Sequence, residues 1–96
     1  MKHTILGGIL ATTALAGTAY AQETLTAVHA FPESLIYTKS FLEFVDKVNA
    51  AGEGVVQIEV RGGPEAIGMF QQPDAVRSGV VDMSNTTTSF VAGIVP

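Results

Sequence analysis

Val55–Met83 reads VVQIEVRGGPEAIGMFQQPDAVRSGVVDM. Val56, Ile58 and Val60 alternate with Gln57, Glu59 and Arg61, the two-residue period of a strand with one apolar face. Gly62, Gly63 and Pro64 stop that strand. The residues that follow predict a short helix over Gln71–Ser78. Pro73 sits in its first turn, where a missing N–H costs little, and Gly79 sits where a C-cap is expected. Val80 and Val81 then restart an apolar run that ends at Asp82 and Met83, which predicts a further strand. A strand, a crossover helix and a second strand in so short a stretch make a βαβ unit of a parallel sheet. Loops leaving the C-terminal ends of such strands are the usual small-molecule sites of α/β proteins.

The chain before this stretch extends the same alternation. Leu25–Ala30 reads as a first strand, with His29 at its C-terminal end and Phe31-Pro32 breaking it. Ser34 is a candidate N-cap for a helix running to about Ala50. Tyr37, Phe41, Phe44, Val45 and Val48 form an amphipathic stripe, and Lys39, Glu43, Asp46 and Lys47 take the other face. Glu43 and Lys47 are spaced for an ion pair. Gly52 and Gly54 end the helix. The order is β, α, β, α, β, followed by a loop from Asn85, so the expected fold class is α/β.

Residues 1–21 read as a secretory signal peptide. Lys2 supplies the positive start, ILGGILATTALAG the apolar core, and Ala19-Tyr20-Ala21 a small-x-small cleavage site before Gln22. A membrane anchor needs ~20 strongly apolar residues, and Gly7, Gly8, Thr12, Thr13, Gly17 and Thr18 interrupt this run. The expected location is therefore a bacterial envelope, with residues 22–96 as the exported part. Losing Lys2 leaves four Lys and Arg against nine Asp and Glu, a net charge of −5. That balance argues against a nucleic-acid partner and against an anionic membrane surface. Export without any cysteine fits a cofactor-free domain held by its apolar core. A chain this short buries only ~60–65% of its unfolded surface, and it closes on the apolar FVAGIVP. Residues 22–96 are thus expected to be the front part of a longer protein.

Several of these segments carry a resemblance. Phe41-x-x-x-Val45, VVQIEV, GGPEAIG, and RSGVVDM leading to an aromatic and then Ala92-Gly93-x-x-Pro96 follow one another in the order seen in one family. The chain resembles the N-terminal lobe of the solute-binding proteins of tripartite ATP-independent periplasmic (TRAP) transporters, the DctP-like family. The resemblance spans Leu25–Pro96. It implies the N-terminal βαβαβ part of one lobe of a two-lobe periplasmic solute-binding protein. It further implies capture of a small organic acid for TRAP membrane subunits driven by an ion gradient. The carboxylate-binding arginine would come from the second lobe; Arg61 and Arg77 are read instead as solvated surface residues. An exported sensor or orphan binding domain of the same fold, uncoupled to a transporter, is the alternative.

The resemblance also implies a ligand site. His29 would face the ligand from the first strand end, or lie buried against a neighbouring carbonyl. Phe31 would wall the pocket, or pack under the first helix. Glu65 would meet a ligand hydroxyl or amine, or remain a turn residue. Met69 and Phe70, beside Gly68, would supply apolar wall or core. Asn85, Thr86 and Thr87 would orient the ligand with uncharged hydrogen bonds, Thr87 being the nearest, or form an ordinary polar loop with Thr88 and Ser89. An enzyme is the competing class, since His29, Asp82 and Ser89 are the residue types of a hydrolase triad. The chain has no G-x-S-x-G elbow. It also has no phosphate-binding glycine fingerprint and no histidine or cysteine spacing for a metal, so no cofactor is expected.

Overall fold

The computed structural model describes residues 21–94. The expected leader falls almost wholly outside the described residues. Within them the chain forms a small α/β domain, with a three-stranded parallel sheet in the order β2-β1-β3 and two helices. Strand β1 is Glu23–His29, helix α1 Ile36–Ala51, strand β2 Val56–Gly62, helix α2 Gln72–Ser78 and strand β3 Met83–Asn85. A single 3-10 turn follows at Thr88–Phe90. No described helix is long and apolar enough to cross a membrane.

β1 is central. Ala27 and Val28 point to opposite faces, as neighbours in a strand must, and both are fully buried. The sheet is therefore covered on both sides. One face joins Ala27 and Ile58 to Val45 of α1, with Leu25, Val60, Met83, Phe41 and Val48 packed around them. On the other face Gln72 of α2 meets Ser84 of β3, which stands in register with Val28. Burial of these apolar side chains supplies the main driving force, at ~25 cal/mol per Å² removed from water.

α1 departs from its predicted stripe. Val45 is buried and Phe41 and Val48 partly so, but Tyr37 and Phe44 are 67% and 52% exposed. The buried line runs instead through Thr38, Phe41, Val45 and Asn49, rotated towards two polar residues. Both satisfy backbone groups that would otherwise be stranded. Thr38 donates its hydroxyl to the Phe31 carbonyl at 3.0 Å. Asn49 bonds both the C=O and the N–H of Ile58, at 3.0 and 2.7 Å, on the outer edge of β2. Ser34 does not cap the helix. Leu35 occupies the N-cap with extended backbone and no side-chain bond, and Ser34 lies in the turn closed by Leu35 N–H to the Pro32 carbonyl. Lys39, Glu43, Asp46 and Lys47 are exposed as expected. The ion pairs among the described residues are Arg61–Glu59 and Arg77–Asp74, so Glu43 and Lys47 do not meet.

β2 keeps its alternation to Val60. The pairing then slips: Ala27 opposes Val60 but Val28 opposes Gly62, which leaves Arg61 as the extra residue of a bulge. α2 starts one residue later than expected, with Pro73 in its first turn, and ends on Gly79 in the left-handed region at φ 85°. That conformation is open to glycine at no steric cost. β3 lies further along than Val80–Met83. The N–H groups of Val80 and Val81 are taken by the Ala75 carbonyl at the end of α2, so neither joins the ladder. Val81 is buried while Val80 stays 65% exposed. Asp82 then engages β1: its N–H reaches the Thr26 carbonyl at 2.9 Å, and its carboxylate accepts the Thr26 N–H at 2.8 Å. The strand proper begins only at Met83.

Candidate functional site

β1 sends its chain towards β2 through α1, while the connection from β2 crosses β1 to reach β3. The C-terminal ends of β1 and β3 are thus where successive connections diverge, the crevice in which open parallel sheets hold ligands. A cavity of about 520 Å³ opens there, lined by Phe31, Ile36, Tyr37, Ser40, Asn85, Thr86 and Thr87. Its size falls within the ~300–1,000 Å³ typical of small-molecule sites. Phe31 follows β1, Asn85 ends β3, Thr86 and Thr87 continue from it, and the first turns of α1 supply the rest. None of the lining side chains carries a charge.

Four of the residues expected at a ligand site, Phe31, Asn85, Thr86 and Thr87, meet in this cavity. Asn85 ties its walls together: its carbonyl accepts the Ala30 N–H at 2.9 Å, and its amide reaches the Tyr37 carbonyl at a long 3.4 Å. Thr87 caps the 3-10 turn, its hydroxyl oxygen accepting the Ser89 N–H at 3.1 Å. The Thr86 hydroxyl is buried and has no protein partner. Thr86 also lines a second cavity of about 400 Å³, formed with Pro73, Val76, Arg77, Ser84, Val91 and Ile94 on the α2 side.

His29 is 2% exposed and lies beneath the site rather than on its wall. Its Nδ1 is 2.6 Å from the Phe31 carbonyl. A carbonyl can only accept, so Nδ1 carries a proton and donates it to this bond. The ring is buried and bonded to a neighbouring carbonyl, as one of the two readings open for this histidine describes.

Glu65 is exposed and sits on the β2 side of the same edge. Its carboxylate accepts the Gly63 N–H at 2.8 Å. That bond, helped by its own N–H and by the nearby His29, holds its carboxyl below the ordinary carboxylate value, against a smaller opposing effect of desolvation. Gly63 separates the two side chains. A Cβ added there would stand 2.5 Å from His29 Cε1 and 3.0 Å from Glu65 Oε2, so only glycine fits. Met69 is half-buried and lines neither cavity. Phe70 is 69% exposed and packs edge-on against Phe90.

Gln72 was not singled out by sequence. It is fully buried, and its amide donates to the carbonyls of His29 and Ile67, at 2.9 Å each, while accepting the Ser84 hydroxyl at 2.6 Å. It fastens the end of β1, the β2–α2 loop and β3 to one another. A glutamine at a helix start reads as a solvated residue, so nothing in the pattern marks it. Tyr37, Ile36 and Ser40 were also missed as lining residues. They occupy the overhanging first turns of α1, beyond the part that packs on the sheet.

The triad residue types are not assembled. The Asp82 carboxylate is engaged by Thr26, His29 by Phe31, and Ser89 belongs to the 3-10 turn. No cluster of three or more metal-ligating side chains occurs among the described residues. No family model matches the chain.

Proposed function

We propose that this chain is part of an exported binding protein that captures a small organic acid in the periplasm and hands it to TRAP-type membrane subunits. The observation that supports this most is the cavity at the diverging ends of β1 and β3, which gathers Phe31, Asn85, Thr86 and Thr87 from two strand ends without a charged group. Such a wall orients a ligand through hydroxyl and amide hydrogen bonds and leaves its charge to be met from outside this lobe. In this reading a second lobe closes over the cavity and supplies the cation, whose charge-assisted bond contributes roughly 1.5–3 kcal/mol. Arg61 and Arg77 do not fill that role, since each is exposed and pairs with a nearby carboxylate. The test is thermal unfolding of the polypeptide expressed from its complete reading frame, against small carboxylic acids and their amides. Ligand bound only by the native state raises the midpoint. Acids should raise it and amides should not; equal shifts would defeat the organic-acid reading.

A further inference from the structure

A line of four aromatic rings runs outward from the cavity wall, where Phe31 and Tyr37 lie. Tyr37, in the first turn of α1, has its ring centre 6.0 Å from that of Phe31, after β1. Phe31 lies 5.9 Å from Phe90 of the 3-10 turn, and Phe90 lies 4.9 Å from Phe70 in the β2–α2 loop. Four separate segments thus deliver one ring each to the same edge of the sheet. The inner two are half-buried, whereas Tyr37 and Phe70 keep 67% and 69% of their surface in solvent. Aromatics joined into one surface beside a cavity of ligand size make a contiguous apolar patch, which marks a binding groove in a way that apolar side chains exposed singly do not. Phe31, Ile36 and Tyr37 form the apolar part of the lining. Ser40, Asn85, Thr86 and Thr87 give it a limited set of hydrogen-bonding groups. A small hydrophilic diacid needs charge on more than one side, and this wall offers none.

We infer that the ligand carries an aromatic ring, seated against Tyr37 and Phe31, with its acidic end directed away from this lobe. The acid rests on the function proposed above; the ring rests on the aromatic surface alone. Tyr37 is the residue to change, since its exposed ring can be removed without opening the core. Calorimetry on the polypeptide from its complete reading frame would compare phenylacetate, succinate and benzyl alcohol, for the unchanged protein and for Tyr37→Ala and Tyr37→Leu. Phenylacetate should bind at least about tenfold more tightly than succinate, and Tyr37→Ala should weaken phenylacetate by roughly tenfold, a larger factor than it costs succinate. Tyr37→Leu, which keeps apolar bulk, should fall between. Succinate binding as tightly as phenylacetate, or phenylacetate affinity indifferent to Tyr37→Ala, overturns the aromatic subsite and leaves the organic-acid reading standing. Benzyl alcohol binding as tightly as phenylacetate, with the same loss in Tyr37→Ala, supports the subsite and overturns the acid. Binding of none of the three overturns both.

Discussion

His29 donates its Nδ1 proton to the carbonyl of Phe31, two residues away, across 2.6 Å. The same carbonyl accepts the Thr38 hydroxyl at 3.0 Å, so both of its lone pairs are used. The turn out of β1 is thereby held to the start of α1, and Phe31 is presented to the cavity. The place of one ring proton follows from this geometry. Long-range ¹H–¹⁵N correlation spectra should show a proton on Nδ1; a ring protonated at Nε2 alone would mean that this bond is not made.

Gln72 has no solvent exposure and uses its amide in three hydrogen bonds. Gln72→Leu keeps much of the volume but strands two carbonyls and the Ser84 hydroxyl. Each stranded buried group costs roughly 1–3 kcal/mol. Urea unfolding should show a loss of at least about 2 kcal/mol, far above the ~0.5 kcal/mol of a surface change. A loss no larger than that would place the amide in water.

Thr86 and Thr87 are neighbours of identical chemistry with opposite expected responses. The Thr86 hydroxyl is buried without a partner, so Thr86→Val removes an uncompensated polar group. Its melting midpoint should stay level or rise. Thr87→Val loses the bond to the Ser89 N–H, a cap worth ~0.5–2 kcal/mol, and its midpoint should fall. The reverse ranking would contradict the hydrogen-bond assignment.

Glu65 gives a pH signature. Its carboxyl is held below the ordinary value chiefly by the Gly63 N–H, with its own N–H and His29 acting in the same direction. A group more acidic in the folded state contributes stability above its unfolded value, and that contribution disappears as pH falls through its folded value. Glu65→Gln should therefore lose less stability than the unchanged protein between neutral pH and about pH 3. Parallel losses would show that the carboxylate is free in solution. Because Glu65 is exposed, the difference should be small.

The βαβαβ order was legible because apolar periodicity and glycine-proline punctuation agree along Val55–Ser78, and because packing confirms what they demand of Val45, Ile58 and Ala27. The start of β3 was not legible. Val80 and Val81 are good strand residues by type, yet the end of α2 captures their N–H groups first. The face of α1 was misjudged by a fraction of a turn because two polar side chains, Thr38 and Asn49, turn inward to serve backbone groups, which apolar spacing does not register. At the candidate site, Phe31, Asn85, Thr86 and Thr87 were named through the resemblance, and they line one cavity. The sequence left two readings open for His29 and did not register Gln72, since what matters is which carbonyl each one reaches.

The Asn49 carboxamide occupies the N–H and C=O of Ile58 as a neighbouring strand would. An incoming strand on that side must first displace this amide, which blunts the β2 edge against unwanted pairing. Among the described residues, β3 carries no comparable guard on its outer side. Among the described residues the sheet is therefore asymmetric: its unguarded edge is that of β3, next to the cavity, and not that of β2.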